Sequence, residues 1–283
     1  MPESPSSIPQ NHTISILGCG WYGFELAKQL LSSGYLVKGS STTATKLVLL
    51  SDSGIQPYLV DFQEDKAHYD PDFFNADILF ISIPPKRSSG EQDSFCKKIE
   101  RIASAAQKQQ LKHIVFISST AVYGDHNLEI TESTLANPDT ASGKAMLEAE
   151  NLLTSQTAFT TTILRFAGLI GPGRNPGRFF AGKDNIPNGR APVNLVHLQD
   201  CINFSVTLIK NVTFGPIYNV CSPDHPSRQE FYCKAAQVSG LPIPTFQDEL
   251  LKWKKVSTIH VAPGFNYTYR VGNFSTWMDT DKL

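Results

Sequence analysis

A glycine-rich turn near the start of the chain has the residue types and the spacing of a dinucleotide-binding site. Its glycines are Gly18, Gly20 and Gly23, and the residues between them are Cys19, Trp21 and Tyr22. In such a turn the first glycine permits a tight bend, the second lets the backbone approach the phosphates, and the third lets the next helix pack close to the strand. The start of that helix offers free N–H groups to an anion. The spacing predicts that residues 18–23 bind a cofactor pyrophosphate; the alternative is a turn that serves only packing.

A group of hydroxyl residues indicates which dinucleotide is bound. An NAD-specific site usually places an acidic residue about 20 residues beyond the glycine turn, where it accepts from the ribose 2′-hydroxyl. Residues 38–46 read KGSSTTATK and contain no carboxylate. Hydroxyls and a lysine can bind a 2′-phosphate, which a carboxylate would repel. We therefore expect Ser40, Ser41 and Thr42 to bind NADP in preference to NAD; the alternative is a solvated loop that caps the next helix.

Basic side chains cluster in a glycine- and proline-rich loop. Residues 171–183 read GPGRNPGRFFAGK and contain Arg174, Arg178 and Lys183. Several cations close together suit a phosphate or a carboxylate, which arginine can bind through two hydrogen bonds. We expect these three residues to bind an anionic small-molecule substrate. The alternatives are the pyrophosphate of the cofactor, neighbouring carboxylates, or water, and the two phenylalanines of the loop suit either a lid or core packing.

Alternating strand and helix patterns position these residues. Apolar runs of strand length occur at 14–17, 35–39, 55–60, 77–83, 113–118, 161–166 and 217–220. Helical patterns lie between or after these runs, among others at 44–51, 95–109 and 228–238. This alternation predicts an α/β Rossmann fold, a doubly wound parallel sheet with helices on both faces. A smaller C-terminal substrate lobe is expected beside it.

The chain divides into two predicted domains. We assign residues 12–168 and 191–221 to an NAD(P)-binding Rossmann domain, and residues 169–190 and 222–283 to the smaller lobe. The aromatic residues of the C-terminal tail show no clear period. They are compatible with a substrate pocket or with a contact between two copies in a homodimer. The first 12 residues, rich in proline and serine, predict a flexible tail.

The composition limits the classes of partner. Apolar residues make up 41% of the chain and the formal net charge is −1, so neither nucleic acid nor an anionic membrane is expected as a partner. No apolar run reaches the length of a transmembrane helix. The five cysteines are scattered and form no CxxC, which indicates neither a disulfide framework nor a metal site. We expect a cytoplasmic protein that binds a small molecule and no metal.

Motifs along nearly the whole chain resemble those of the extended short-chain dehydrogenase/reductases, the NAD-dependent epimerase/dehydratase family. Besides the glycine turn, they are Asp-Phe at 61–62, SSTAVYG at 118–124, Leu-Arg at 164–165, Gly-Pro-Gly at 171–173, VHLQD at 196–200 and Tyr-Asn-Val at 218–220. The resemblance implies that Asp61 and Phe62 lie at the adenine of the cofactor. It also implies that the turn of Ser82, Ile83 and Pro84 lies beside the cofactor.

The same resemblance implies a catalytic site around Ser119. Counted back from Gly124, Ser119 occupies the position of the family's catalytic hydroxyl, which hydrogen-bonds the reacting oxygen of the substrate. Tyr123, in the same motif, is assigned to substrate binding. The alternative for Ser119 is that it ends a buried strand and satisfies local backbone groups.

The tyrosine and lysine of the family's Tyr-x-x-x-Lys motif are missing. Aligned without gaps, the chain has Ser142 at the tyrosine position and Met146 at the lysine position. A register shift of two residues matches Lys144 to the lysine but places Thr140 at the tyrosine. A positioned acid or base contributes about 10² to 10⁴ in rate, and serine ionises too reluctantly to replace tyrosine. We expect Ser142 to orient a substrate oxygen without protonating it.

Two pairs of titratable residues are alternatives for the missing acid. His197 and Asp200 belong to a motif whose work in the family is mainly structural, with the aspartate capping or pairing. Asp125 and His126 directly follow the Ser119 motif, where a solvated turn is the competing interpretation.

With these departures from the family motif, the chain resembles the YeeZ-like proteins, a bacterial subgroup of atypical short-chain dehydrogenases. The subgroup has Ser-Gly at the tyrosine position and a similar basic loop.

Two functional hypotheses follow. One is an NADP-dependent oxidoreductase or epimerase-like enzyme on a small polar or anionic substrate, with Ser119 and Ser142 positioning the reacting oxygen. The other is a non-catalytic NADP-binding redox sensor or regulatory protein.

Overall fold

The computed structural model describes residues 12–85, 92–258 and 267–281, so that most of the predicted N-terminal tail lies outside the described residues. The strands are β1 (Thr13–Leu17), β2 (Leu36–Ser41), β3 (Gln56–Leu59), β4 (Asp61–Phe62), β5 (Ala67–His68), β6 (Ile78–Ile81), β7 (His113–Ser119), β8 (Leu128–Ile130), β9 (Thr160–Phe166), β10 (Gly168–Ile170), β11 (Leu195–His197), β12 (Ile217–Val220) and β13 (Lys254–Val256). The helices are α1 (Trp21–Ser32), α2 (Ala44–Asp52), α3 (Gln92–Lys108), α4 (Ala141–Thr154), α5 (Leu198–Lys210), α6 (Arg228–Val238) and α7 (Phe274–Thr280).

Seven of the strands form one parallel sheet in the order β12-β9-β7-β6-β1-β2-β3. Each lies at one of the predicted apolar runs, with ends that differ by no more than two residues. The strand order reverses between β1 and β6, because the chain winds from β1 toward one edge and from β6 toward the other. The predicted Rossmann fold is confirmed, and ligands of such sheets bind at this reversal, beyond the carboxyl ends of the strands.

Helices cover the sheet on both faces. α1 packs against α5, and α3 packs against α4. The buried residues of α1 recur every three or four positions and form one apolar stripe: Tyr22, Gly23, Leu26, Ala27 and Leu30. All four residues of the central strand β6 are buried, as expected for a strand with helices on both sides. Pro57 is tolerated in β3 because that strand lies at the sheet edge.

Short elements outside the main sheet were not predicted. β10 pairs with β11 and β8 pairs with β13, both in parallel, while β4 and β5 form an antiparallel pair. A second hydrophobic cluster joins α6 and α7 around Phe231, Ala235, Phe274 and Trp277. This cluster also contains Leu195 of β11. The proposed boundaries between a Rossmann domain and a smaller lobe stay a prediction.

The described ranges also bear on membranes and metals. They contain no helix that is both long and apolar enough to cross a bilayer. They contain no group of three or more potential metal-ligating side chains, and all five cysteines are free thiols. A cytoplasmic location and a homodimer stay predictions.

Candidate functional site

A cleft of about 510 Å³ opens where β1, β6 and β7 end, at the reversal of strand order. Its walls come from the glycine turn, the segments after β6 and β7, the start of α4, and the chain from β9 into the basic loop. The lining residues are Gly20, Trp21, Tyr22, Ser82, Ile83, Pro84, Pro85, Ile117, Ser118, Ser119, Ala121, Ser142, Met146, Phe166, Ala167, Gly168, Leu169 and Arg174. The cleft therefore brings together six of the 14 predicted cofactor residues, from the glycine turn and the segment after β6, and both serines assigned to catalysis.

The three glycines of the turn differ in the atoms that a side chain at each position would meet. Gly18 has a φ of +97°, and a Cβ on it would lie 2.9 Å from the carbonyl oxygen of Ser82. A Cβ on Gly23 would collide with the carbonyl oxygen of Gly18. Both glycines are thus required by the packing of the protein itself. A Cβ on Gly20 would meet no atom within 4 Å, so the open space at Gly20 is free for a ligand.

The start of α1 fits a bound anion. Gly20 is the N-cap and supplies no side-chain hydrogen bond. The backbone N–H groups of Trp21, Tyr22 and Gly23 have no acceptor among the residues that the structure describes. Unsatisfied N–H groups and the helix dipole together attract negative charge. The residues at this position therefore fit a dinucleotide pyrophosphate.

The end of β2 supports the glycine turn. Ser40 is 2% exposed, and its Oγ accepts from the N–H of Gly18 at 3.0 Å. Its carbonyl oxygen accepts from the N–H of Cys19, also at 3.0 Å, and burial raises the pKa of the Cys19 thiol to about 12. The side chain of Ser40 is thus buried against the glycine turn, which does not support the predicted phosphate contact. Ser41 and Thr42 lie further along, half-buried and exposed respectively.

The predicted adenine residues lie outside the cleft. Asp61 accepts from Gln63 Nε2 at 2.7 Å. The ring of Phe62 is buried and stacks on Tyr69 with a centroid distance of 5.1 Å. This packing places Phe62 in the hydrophobic core and does not support a cofactor contact. Contact between Asp61 and the adenine stays a prediction.

A buried polar network lies behind the end of β7. Ser118 donates to Glu150 Oε1 at 2.5 Å, and Glu150 forms an ion pair with Arg165 at 2.5 Å. Arg165 also donates to the phenolic oxygen of Tyr123 at 2.6 Å, and that oxygen donates onward to Asn219 Oδ1 at 3.1 Å. Tyr123 is only 1% exposed. This burial among polar partners does not support the assignment of Tyr123 to substrate binding, which stays a prediction.

Ser119 and Ser142 line the cleft on neighbouring elements. Ser119 Oγ accepts from the N–H of Ala121 at 3.1 Å, as the capping interpretation requires, but its O–H has no acceptor within the described part of the chain. A Cβ on Gly143 would collide with the carbonyl oxygen of Ala121, so the Ser-Gly pair lets α4 approach closely. Met146, one turn further along α4, is 5% exposed and contributes an apolar wall.

Two of the side chains that line the cleft are ionisable, Tyr22 and Arg174. The phenol of Tyr22 is hydrogen-bonded to Ser205 Oγ at 2.6 Å, and burial raises its pKa well above the usual range. It is therefore a poor substitute for the family's tyrosine. Lys144, the lysine of the shifted register, is exposed on α4 and does not line the cleft.

The alternative acids have other partners. His197 caps α5 through its ring nitrogen, and burial lowers its pKa. Asp200 is fully buried and accepts from two backbone N–H groups of the C-terminal segment. Asp125 pairs with Lys254 at 2.9 Å, while His126 hydrogen-bonds a backbone carbonyl. None of these four residues lines the cleft.

The basic loop divides into two parts. Arg174 lines the cleft, and its guanidinium carbon lies 4.2 Å from the ring centroid of Trp21. Arg178 and Lys183 are exposed and do not line the cleft. The two phenylalanines pack against Tyr232 with centroid distances of 5.9 and 4.7 Å. This packing does not support a lid over the cofactor.

Some residues that line the cleft were not predicted from the sequence. Ser118 and Leu169 line the cleft, and the contact of Trp21 with the basic loop crosses its mouth. Ser118 had a detectable signal, because it adjoins Ser119 at the end of the same apolar run. The loop contact had none, because its partners are 151 residues apart.

Comparison with known proteins agrees with the geometry. Residues 18–196 match the NAD(P)H-binding family. The chain is 38% identical over 263 residues to Protein YeeZ of Escherichia coli strain K12, which covers 90% of this chain and 96% of that protein.

Solved structures share the fold. A short-chain dehydrogenase/reductase superfamily protein from Agrobacterium tumefaciens with bound NAD superposes with a TM-score of 0.76 at 16% identity, covering 95% of each chain. UDP-N-acetylglucosamine 4-epimerase from Bacillus cereus gives a TM-score of 0.78 at 15% identity, over 95% of this chain and 97% of that one. At these identities the likeness concerns the fold alone. The family match over residues 18–196 and the 38% identity to Protein YeeZ show that the chain belongs to the NAD(P)H-binding family and to the YeeZ-like proteins.

Proposed function

We propose that the chain is an NADP-dependent oxidoreductase or epimerase-like enzyme acting on a small polar molecule. One observation carries this proposal: a single cleft joins the open start of α1 to the hydroxyls of Ser119 and Ser142. NAD(P) binding follows from the family. The preference for NADP, the catalytic activity and the substrate class are the proposed part.

The backbone of the glycine turn would hold the cofactor. The N–H groups at 21–23 would bind its pyrophosphate, and the turn of Ser82, Ile83 and Pro84 would lie beside it. When bound, the cofactor supplies a site that gives or takes a hydride. The preference for NADP rests on Ser41 and Thr42, because the side chain of Ser40 is buried.

Ser119 is the proposed hydrogen-bond donor to the reacting oxygen. Its Oγ already accepts from the N–H of Ala121, which fixes the position of the oxygen and leaves the O–H to donate. Ser142 adds a second hydroxyl to the same cleft. Both serines would orient the substrate oxygen and stabilise developing charge, without transferring a proton as the family's tyrosine does. Met146 supplies no positive field, so the reaction lacks the acceleration that the lysine gives in the family.

The substrate is proposed to be a small polar molecule with a hydroxyl or carbonyl group. The basic loop gives limited support for an anionic substrate, because only Arg174 of its three predicted residues lines the cleft. UDP sugars belong in any substrate panel, since the Bacillus cereus structure named above is a UDP-N-acetylglucosamine 4-epimerase.

The test is a screen of NADPH oxidation and NADP⁺ reduction over carbonyl compounds, alcohols and UDP sugars. We expect turnover with at least one compound and a fall of about 10² to 10³ in kcat for Ser119→Ala, which is the effect of removing one donor to a developing oxyanion. Ser104→Ala, at an exposed serine of α3, is the matched control and should retain full activity. Turnover that is unchanged in Ser119→Ala would refute the assigned role.

The second candidate is a non-catalytic NADP-binding redox sensor. It is favoured by Met146, which is buried at the position where the family's lysine would contact the cofactor. For a sensor we expect submicromolar affinity, a clear difference between the Kd values for NADPH and NADP⁺, and no turnover across the panel. Measured turnover above the uncatalysed rate would exclude it.

A further inference from the structure

We propose that Arg174 binds the pyrophosphate of the cofactor, together with the start of α1, and that Trp21 is the residue that positions it. The proposal rests on cofactor binding at the glycine turn, as proposed above. It resolves the two uses left open for the basic loop, an anionic substrate or the cofactor itself, in favour of the cofactor for this one residue.

The charge of Arg174 is free to bind a ligand. Its side chain is exposed and lines the cleft. It forms no ion pair with any carboxylate in the described ranges, whereas Arg190, seven residues beyond the end of the basic loop, pairs with Asp248 at 3.6 Å. An unpaired guanidinium at the wall of a cleft is available to an anion, which it can bind through two parallel hydrogen bonds.

The position of Arg174 is set by Trp21, the first residue of α1. The guanidinium carbon stacks on the indole at 4.2 Å from its centroid. Arg174 is therefore adjacent to the backbone N–H groups of α1 that have no acceptor among the described residues. Two sources of positive charge, one from the backbone and one from a side chain, meet at this place in the cleft.

The loop geometry fixes this arrangement. The indole Nε1 of Trp21 donates to the carbonyl oxygen of Pro172 at 2.7 Å, which sets the orientation of the ring. The N–H of Arg174 donates to the carbonyl oxygen of Gly171 at 2.8 Å. Gly171 and Gly173 have φ values of +138° and +75°, a conformation that glycine adopts readily and that turns the chain back toward the indole. The indole face then holds the guanidinium by a cation–π contact.

The chemistry of a pyrophosphate matches this pair of groups. It carries two negative charges, while a helix start offers the equivalent of only about half an elementary charge. Arg174 would supply a full charge and two N–H donors to the same anion. A phosphate or carboxylate of the substrate could use the same chemistry, so the experiment must separate the two sources.

The test compares Arg174→Met with its matched control Arg178→Met, at an exposed arginine of the same loop that does not line the cleft. Isothermal titration calorimetry measures the Kd of NADPH. Competition against NADPH measures the Kd of adenosine 2′-monophosphate, which has a 2′-phosphate but no pyrophosphate. We expect Arg174→Met to raise the Kd of NADPH about 10- to 100-fold, the usual worth of hydrogen bonds to a charged group. The Kd of adenosine 2′-monophosphate, and the Kd of NADPH for Arg178→Met, should change by less than about twofold.

Three outcomes would contradict the role of Arg174 or the proposed function on which it rests. An unchanged NADPH affinity in Arg174→Met overturns the proposal, and a raised KM for the substrate in that variant would assign Arg174 to the substrate. Equal losses for NADPH and adenosine 2′-monophosphate would also overturn it, because the effect would then not concern the pyrophosphate. Failure of the unmodified protein to bind either NADPH or NADH would instead refute the proposed function.

The positioning role of Trp21 is tested by combining its substitution with that of Arg174. Trp21→Leu should raise the Kd of NADPH through loss of the indole face, whereas Trp21→Phe, which keeps an aromatic face, should have a smaller effect. The double variant Trp21→Leu/Arg174→Met should bind NADPH no more weakly than Arg174→Met alone, since a positioning residue has no effect once the group it positions is gone. Fully additive losses would contradict the role of Trp21.

Discussion

The two ends of the cleft are built differently. At the glycine turn, backbone N–H groups and the absence of a Cβ on Gly20 form the site. At the start of α4, the site depends on side chains, and the resemblance to the extended short-chain dehydrogenase/reductases predicts that Ser142 and Met146 stand at the positions of their tyrosine and lysine. A backbone site depends on spacing and conformation, so it persists while the spacing of the glycines is kept. A side-chain site can lose its chemistry through two substitutions that leave the fold intact.

A buried polar framework supports the second end of the cleft. The ion pair of Glu150 with Arg165 is almost fully buried, with side-chain exposures of 3% and 5%. It holds Ser118, whose neighbour Ser119 lines the cleft. The framework is therefore separable from the proposed catalytic serines. The comparison predicts large stability effects in the framework, intermediate effects in the glycine turn and small ones at the proposed catalytic serines.

The largest expected effect is at the buried ion pair. Glu150→Ala leaves the guanidinium of Arg165 buried without its counter-charge, and it should lower the free energy of unfolding by about 3–5 kcal/mol. Urea denaturation followed by circular dichroism measures this change. Glu64→Ala is the matched control, because Glu64 forms an exposed ion pair with Lys97 at 2.6 Å and its urea midpoint should not change. Similar midpoints for the two variants would contradict the framework role of Glu150.

The glycine turn should separate stability from cofactor affinity. Gly18→Ala forces a side chain into a left-handed conformation against Ser82, at a cost of about 1–3 kcal/mol. Gly20→Ala meets no protein atom within 4 Å, so its unfolding free energy should change by less than about 0.5 kcal/mol. Its Kd for NADPH should nevertheless rise at least about tenfold, because the methyl group obstructs the approach of the phosphates. If Gly20→Ala binds NADPH normally, the pyrophosphate does not lie at the start of α1.

The fold was predictable because its signals are long and periodic. Each strand of the main sheet is an apolar run, and Arg228–Val238 was predicted with its observed bounds. The pairing of β8 with β13 was not predictable, because three-residue strands more than 120 residues apart are brought together only by tertiary packing. α7 was missed although Phe274, Trp277 and Met278 have helical spacing, since seven residues are too few to show a period.

The sequence predicted which residue types form the site, but it did not predict the direction in which each side chain points. Ser40 and Tyr123 have the chemistry of binding residues, yet both side chains are buried and hydrogen-bonded inside the protein. Whether a polar side chain at the end of a strand faces the cleft or the core depends on which neighbours can satisfy it. For Ser40 that neighbour is the glycine turn itself, and for Tyr123 it is Arg165 from another strand. Neither contact leaves a local signal in the sequence.

The smallest stability effect is expected at Ser142, at the start of α4. Its Oγ lies 3.5 Å from Thr140 Oγ1 and has no closer hydrogen-bond partner in the described ranges, so Ser142→Ala should change the unfolding free energy by less than about 0.5 kcal/mol. Thr140→Ala is the matched comparison: Thr140 Oγ1 caps α4 by accepting from the N–H of Gly143 at 3.1 Å, and its loss should cost about 1 kcal/mol. With NADPH affinity also unchanged, any fall in turnover of Ser142→Ala measures what the hydroxyl does for the substrate. A Ser142→Ala variant that is less stable than Thr140→Ala would show instead that Ser142 belongs to the framework.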